Sequence, residues 1–217
     1  MSNPIDVPAV STSGTANLDQ HPRAVVTREK ILLESARVFD ASGYSAASLS
    51  AIIATSYLTK GAVFYHFPSK EAIAQHLVQG WSLAVATAFS AAAATGESAT
   101  TQLRTAFTAL ANSVEGDQTI RAGMKLTLDP SIEGAHESHR SWIDTTSDLV
   151  DQGIESGAIR DTAASHRLAW NLCAGFTGAV HSVEILREDL DLATRTSDML
   201  SSYLTNATPT AHDRGLA

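Results

Sequence analysis

The sequence predicts an all-α protein, with a small helical unit at the N-terminus and a larger helical body after it. Three observations carry this. Only 18% of the residues are charged while 44% are hydrophobic, and alanine, the strongest helix former, takes up much of the difference. The alternation of β-branched and aromatic residues that strands need is scarce. From Thr27 onward, apolar residues recur at three- and four-residue spacing. A chain of 217 residues can hold one domain or two small ones around a real core.

Residues 1–22 are rich in Ser, Thr, Pro and Gly without apolar periodicity, and are expected to form a disordered tail. Residues 207–217, with Pro209 and Gly215, are expected to form a second, flexible one. Between them nine helices are expected, three short ones followed by longer ones. In the first, Ile31, Leu32, Ser35, Ala36, Val38 and Phe39 share a face, Thr27 is the expected N-cap and Gly43 the stop, giving a helix over about 28–42. Ser48 caps a short helix through Leu49, Ile52 and Ile53. Ser56-Tyr57-Leu58 makes a turn, and Thr59 caps a third helix from Lys60 to about Phe67. Pro68-Ser69 breaks it, and Ser69 caps a long helix to about Ala94. Helices are then expected over 100–114 and 120–128, with an irregular polar stretch over 130–139. Three more are expected over 141–155, 162–186 and 190–204, the first of these ended by Gly157.

The residues 1–20 lack the basic start and apolar centre of a secretion signal, and no run approaches the ~18 apolar residues of a membrane span. The single cysteine, Cys173, has no internal partner, which fits a reducing cytoplasm and a buried, apolar role for the thiol. The net charge of −8 is unevenly spread. Residues 1–22 carry −2, residues 23–70 carry +3 from six basic and three acidic side chains, and residues 71–217 carry −9 from nine basic and eighteen acidic ones. The only net-positive block is the three-helix unit, which makes it the end expected to face a polyanion.

A helix that reads DNA must be short, must present small or polar side chains outward, and must be braced at a fixed angle by a tight turn. The stretch from Leu49 to Glu71 meets that description. Its Thr59-Lys60-Gly61, Tyr65-His66-Phe67 and Ser69-Lys70-Glu71 match, in order and spacing, the helix-turn-helix of TetR-type repressors. The resemblance implies a DNA-binding domain over 23–68 and an effector-binding and dimerisation domain over 69–206. Residue types then assign roles. Lys60 can reach a phosphate or a guanine edge, and Gly61 lets the backbone approach DNA. Ala62 and Phe64 suit thymine methyls or the sugar edge. Tyr65 and His66 suit phosphate oxygens, which set register without reading sequence, although core packing is an alternative for both. Lys70 and the N–H groups after Ser69 suit another phosphate. Thr59 is a cap at the same edge, and Ser48 and Thr27 are caps first and phosphate donors second. Val63 and Phe67 should face inward. Two positions depart from the family pattern: Ile53 stands where a small residue is usual, and Tyr57 where the turn usually holds Gly. Tyr57 is therefore expected either to strain the turn or to point out toward DNA.

TetR-type proteins bind operator DNA as homodimers and release it when a small ligand occupies the C-terminal domain, and the resemblance implies the same here. The segment 170–186 is apolar on more than one face (Leu172, Ala174, Gly175, Phe176, Gly178, Ala179, Val180, Val183) and needs cover on two sides. The last two helices are the natural dimer interface, as a four-helix bundle. Arg121-Ala122-Gly123-Met124-Lys125-Leu126, the polar loop and Trp142 are similar to the receptors for γ-butyrolactone signals of antibiotic-producing actinobacteria, as are Arg23-Ala24 and Val38 to Tyr44. In that branch a tryptophan at the place of Trp142 lines or covers the ligand cavity. Trp81 stands where such receptors often carry glutamine, so a butenolide or furan-type signal is as fitting as a γ-butyrolactone. The pocket candidates are Trp81, Phe107, Leu126, Trp142, Phe176 and Thr177, each of which also suits ordinary core. Arg121 and Lys125 suit either a ligand carboxylate or a solvated face.

Rival functions find less support. His136 and His139 are three residues apart, but no third metal ligand follows at a recognised spacing, and no cofactor is expected. No phosphate-binding glycine loop, nucleophile elbow or clustered carboxylates with a histidine are present, so an enzyme is not expected. A constitutive architectural DNA binder would need more basic charge. A regulator of an efflux or catabolic gene that answers an unrelated hydrophobic compound is the alternative within the family.

Overall fold

The structure is a computed structural model that describes residues 20–186 and 191–209. Most of the two expected tails lies outside those residues. Nine α-helices run through the described residues: α1 (Gln20–Ala46), α2 (Leu49–Ser56), α3 (Lys60–His66), α4 (Lys70–Ala93), α5 (Ala99–Gly116), α6 (Gln118–Leu126), α7 (Ala135–Glu155), α8 (Leu168–Leu186) and α9 (Leu192–Ala207). A single 3-10 turn, Ser165–Arg167, leads into α8. None of the helices is long and apolar enough to cross a membrane.

Three of the expected caps form as hydroxyl acceptors. Ser48 Oγ accepts from Ala51 N at 3.1 Å, Thr59 Oγ1 from Ala62 N at 3.2 Å, and Ser69 Oγ from Ala72 N at 3.0 Å. Thr27 does not cap. The first helix begins a full two turns earlier, and the Thr27 hydroxyl donates to Arg23 O at 2.9 Å inside it. Gly43 interrupts α1 with φ of 73°, a value that glycine adopts without a Cβ penalty. The start of α7 also differs from expectation: the polar stretch 135–140 is helix, entered at Gly134 with φ of 79°.

Two apolar clusters organise the molecule. Around the head, Ile31, Phe39, Ile52, Val63 and Phe67 pack with Ile73 and Leu77 of α4 and with Leu126 and Ile132. In the body, α4, α5, α7, α8 and α9 bury Trp81, Phe107, Trp142, Leu172, Phe176 and Leu200. The long helix α4 thus contributes its first half to one cluster and its second half to the other. At the crossing of α4 and α6, Gly123 lets the backbone of α6 lie against the Leu77 carbonyl.

Candidate nucleic-acid interface and effector site

The α2–α3 pair is a braced helix-turn-helix. Val63 and Phe67 face the head cluster as expected, fully buried or nearly so. Lys60, Gly61, Phe64 and Tyr65 lie exposed on the opposite side and His66 partly so, with Tyr65 82% exposed. One short helix therefore divides cleanly into an inner and an outer face. Lys60 Nζ lies 5.7 Å from the Phe64 ring centre, and the Tyr65 and His66 rings meet edge-on at 5.0 Å. Tyr57 occupies the left-handed region, φ 54° and ψ 26°, and is 90% exposed. Both expectations for Tyr57, strain and outward projection, describe the same conformation.

Lys70 has another task than the phosphate contact expected of it. Its ammonium donates to Tyr44 O at 2.8 Å and Ala47 O at 3.0 Å, 4.1 Å above the Tyr44 ring. It satisfies carbonyls at the end of α1, where no helical N–H remains to do so. Thr27, 33 positions before the start of the reading helix, spends its hydroxyl inside α1. The head is fastened to α4 at a second point, where Arg28 lies over Phe67, 5.0 Å from the ring centre. The same guanidinium places its two amino nitrogens 3.0 and 3.2 Å from His76 Nε2 and Nδ1. A neutral imidazole has one acceptor nitrogen, so only one of the two contacts is a hydrogen bond.

Four of the six pocket candidates meet in one place. Trp81 and Trp142 are edge-on at 5.2 Å, and Phe176 lies 5.7 Å from Trp142 and 6.5 Å from Trp81. Phe107 closes the group, 5.9 Å from Trp142 and 5.8 Å from Phe176. All four are buried. The cluster holds two polar atoms without a hydrogen-bond partner among the described residues, Trp81 Nε1 and Trp142 Nε1; Thr177 Oγ1, on the residue after Phe176, is likewise buried without one. A buried donor left unpaired costs about 1–3 kcal/mol, so an apolar core that leaves several is unusual. Leu126 is not part of this group; it packs with the head-side cluster. Arg121 and Lys125, considered for a ligand carboxylate, reach Asp40 of α1 instead, at 3.4 and 3.2 Å. Sequence reasoning gave Asp40 no role, because its partners lie more than eighty positions away.

Beside this cluster Cys173 is buried, and burial pushes its thiol up to about 12, against a weaker opposite pull from the Thr146 hydroxyl 3.5 Å away. It stays a thiol at neutral pH. His136 pairs with Glu137 at 3.0 Å, and among the described residues no group of three or more His, Cys, Asp or Glu gathers for a metal.

Comparison with known proteins places this geometry. Residues 31–77 match the family described as bacterial regulatory proteins, tetR family. Over 166 residues the chain is 30% identical to the A-factor receptor protein of Streptomyces griseus, a match covering 72% of this chain and 54% of that one. The chain thus spans about half the length of that relative. Among solved structures, a γ-butyrolactone receptor described as ArpA-like superposes with a TM-score of 0.75 at 21% identity, covering 88% of this chain and 92% of the other. TylP, a tetR regulator from Streptomyces fradiae, superposes with a TM-score of 0.64 at 28% identity, covering 90% and 92%.

Proposed function

The chain belongs to the tetR family of bacterial regulatory proteins, and on that premise we propose that it is a ligand-responsive repressor rather than an enzyme. It binds a pseudo-palindromic operator as a homodimer and is released by a small signalling molecule of γ-butyrolactone, butenolide or furan type. The observation that carries the reading is the division of α3, with Val63 and Phe67 inside and Lys60, Gly61, Phe64 and Tyr65 outside. A short helix braced in this way fits a major groove. Lys60, Gly61, Phe64, Tyr57, Tyr65 and His66 form the DNA-facing set, with Thr59 and Ser48 at its capped edges.

The relatives that carry signal-receptor names motivate the ligand class, and so does the buried group of Trp81, Phe107, Trp142 and Phe176, with the partly buried Thr177 following it on α8. Its unpaired donors and hydroxyl offer hydrogen bonds to an oxygen-bearing molecule in an otherwise apolar setting. Homodimerisation draws support from α8, where Ala174 and Gly178 are exposed at four-residue spacing. A Cβ on Gly178 would meet only open space, which leaves room for close approach of a second α8. Control of genes for antibiotic production follows from the same kinship.

The test begins with operator selection from a random duplex library. The wild-type protein is expected to select two similar half-sites in inverted repeat. Lys60→Ala removes one lysine from each protomer and should weaken binding by about tenfold or more and lower the salt slope by about 2. Unaltered affinity and slope would remove α3 from the interface.

A further inference from the structure

A cleft of about 460 Å³ opens on the surface next to the aromatic cluster. It is lined by Thr127, Leu128 and Pro130 of the α6–α7 connection, His139 and Ile143 of α7, and Trp170 at the start of α8. Its size is that of a site for a small organic molecule. Arg140 and Asp144 at its mouth carry opposite charges, so the cleft holds no excess of either sign.

His139 is the side chain between this cleft and the buried core. Its ring is partly exposed on the cleft side and meets Trp142 edge-on at 5.7 Å. Trp142 in turn meets Trp81 at 5.2 Å. The hydrogen bonds fix the tautomer. The Thr127 hydroxyl donates its one proton to Met124 O at 2.6 Å. Its oxygen, 3.2 Å from His139 Nδ1, must therefore accept from that nitrogen. Nδ1 carries the hydrogen, and Nε2 is left as an acceptor with no partner among the described residues. Burial lowers the pKa of His139 from the ordinary histidine value, which keeps the ring neutral and Nε2 available at pH 7. In the core beside it, the buried nitrogens Trp142 Nε1 and Trp81 Nε1 are without a hydrogen-bond partner among the described residues.

We propose that this cleft is the outer chamber of the effector site, with His139 the side chain that divides it from the buried indoles. The ligand is an uncharged molecule that gives a hydroxyl hydrogen to His139 Nε2. Its apolar tail lies against Leu128, Ile143 and Trp170. A carboxylate is disfavoured, since a neutral imidazole acceptor repels it and Asp144 stands at the mouth. The inference rests on the reading of the C-terminal body as an effector domain, and it adds the entry, the hydroxyl acceptor and the charge of the ligand.

The test has two arms. The first needs no ligand. In a Trp170→Phe background, which removes the exposed indole, His139→Ala should raise acrylamide quenching of the two buried indoles by about twofold, while His139→Phe, which keeps the ring, should not. Equal quenching with and without His139→Ala in that background would overturn the dividing role. The second arm uses a synthetic γ-butyrolactone with a hydroxymethyl group and a long alkyl tail, and the methyl ether of that hydroxyl. Titration calorimetry on wild-type protein should show the ether binding about tenfold more weakly, the value of one hydrogen bond of about 1.4 kcal/mol. In His139→Phe the two compounds should bind alike. A wild-type discrimination that survives in His139→Phe would overturn the acceptor assignment, even if the lactone still releases operator DNA and the repressor reading stands. Failure of both compounds to bind wild-type protein that still holds its operator would overturn the proposal and the ligand class together.

Discussion

Asp40 of α1 and Lys125 of α6 are joined across the boundary between head and body by an ion pair of 3.2 Å, with Arg121 at 3.4 Å from the other carboxylate oxygen. The side chains of Asp40 and Lys125 are only 14% and 17% exposed, so solvent screens this pair less than a surface one. Any movement of α6 that follows effector binding must reach the reading helix through α1 or α4, and this pair is the polar link on the α1 route.

Asp40→Asn leaves two cations beside one another with one counter-charge fewer. Removing one partner of a partly buried pair should cost about 2 kcal/mol, below the value for full burial, and lower the melting temperature by about 4–8 °C. Adding Lys125→Met should restore part of the loss. Thermal melts of the two single variants and the double variant decide it. Strictly additive losses would mean that Asp40 and Lys125 act independently.

Much of the head was legible in sequence because its signals are local. Ser48, Thr59 and Ser69 cap helices through atoms three residues away, and Val63 and Phe67 alternate with outward residues within a single turn and a half. Where sequence reading failed, the deciding partner was distant or the apolar signal was missing. Val25 and Val26 are exposed, so the first two turns of α1 carry no buried stripe and Thr27 looks like a start. On α7, Ala135 and Trp142 are buried with none of the residues between them buried, so its first turns read as loop. Lys70 matches a phosphate-binding pattern, yet carbonyls 23 and 26 positions back capture it. Trp81, Phe107, Trp142 and Phe176 pack together in the body core, but periodicity alone does not separate Leu126, which packs with the head cluster.

Tyr57 separates turn strain from DNA contact. A non-glycine residue in the left-handed region costs about 1–2 kcal/mol, while glycine adds unfolded-state freedom worth about 0.5–1 kcal/mol in the other direction. Tyr57→Gly should therefore raise stability slightly, by about 0.5 kcal/mol, because the exposed ring gives up little packing. If Tyr57 also touches DNA, operator affinity should fall in the same variant. A clear loss of stability would mean that the turn is not strained.

The Arg28–His76 contact makes the joint between head and α4 sensitive to acid. Burial, and secondly the Arg28 charge, lower the pKa of His76. The unfolded chain then binds the proton more readily than the folded one. The stabilisation is complete above the unfolded value of about 6.5 and is lost as pH falls through the lower folded value. Melting temperatures measured from about pH 7.5 to 5 should drop more steeply for wild type than for His76→Gln, which keeps an acceptor for Arg28 but cannot titrate. His139 is present in both proteins, so the difference isolates His76. Parallel curves would exclude it.

Two glycines on adjoining helices should respond in opposite ways to the same substitution. Both Gly80 on α4 and Gly123 on α6 sit in helix interiors, where alanine is intrinsically better by about 1 kcal/mol. A Cβ on Gly80 would meet Ile120 Cδ1 at 3.7 Å, an ordinary contact. Gly80→Ala should therefore be neutral or stabilising. A Cβ on Gly123 would overlap the Leu77 carbonyl oxygen and lie 3.3 Å from Trp81 Cβ. The obstacle is backbone, which cannot swing aside, so α6 must move away from α4 and the gain in propensity is overwhelmed. A net loss of about 2–3 kcal/mol is expected, as for other overpacked sites. Because α6 also carries Arg121 and Lys125 to Asp40, Gly123→Ala should alter operator affinity in protein that remains folded, whereas Gly80→Ala should leave it unchanged. Denaturant melts and operator titrations on the two variants would settle the point, and equal stabilities would show that α4 and α6 do not pack at this closeness.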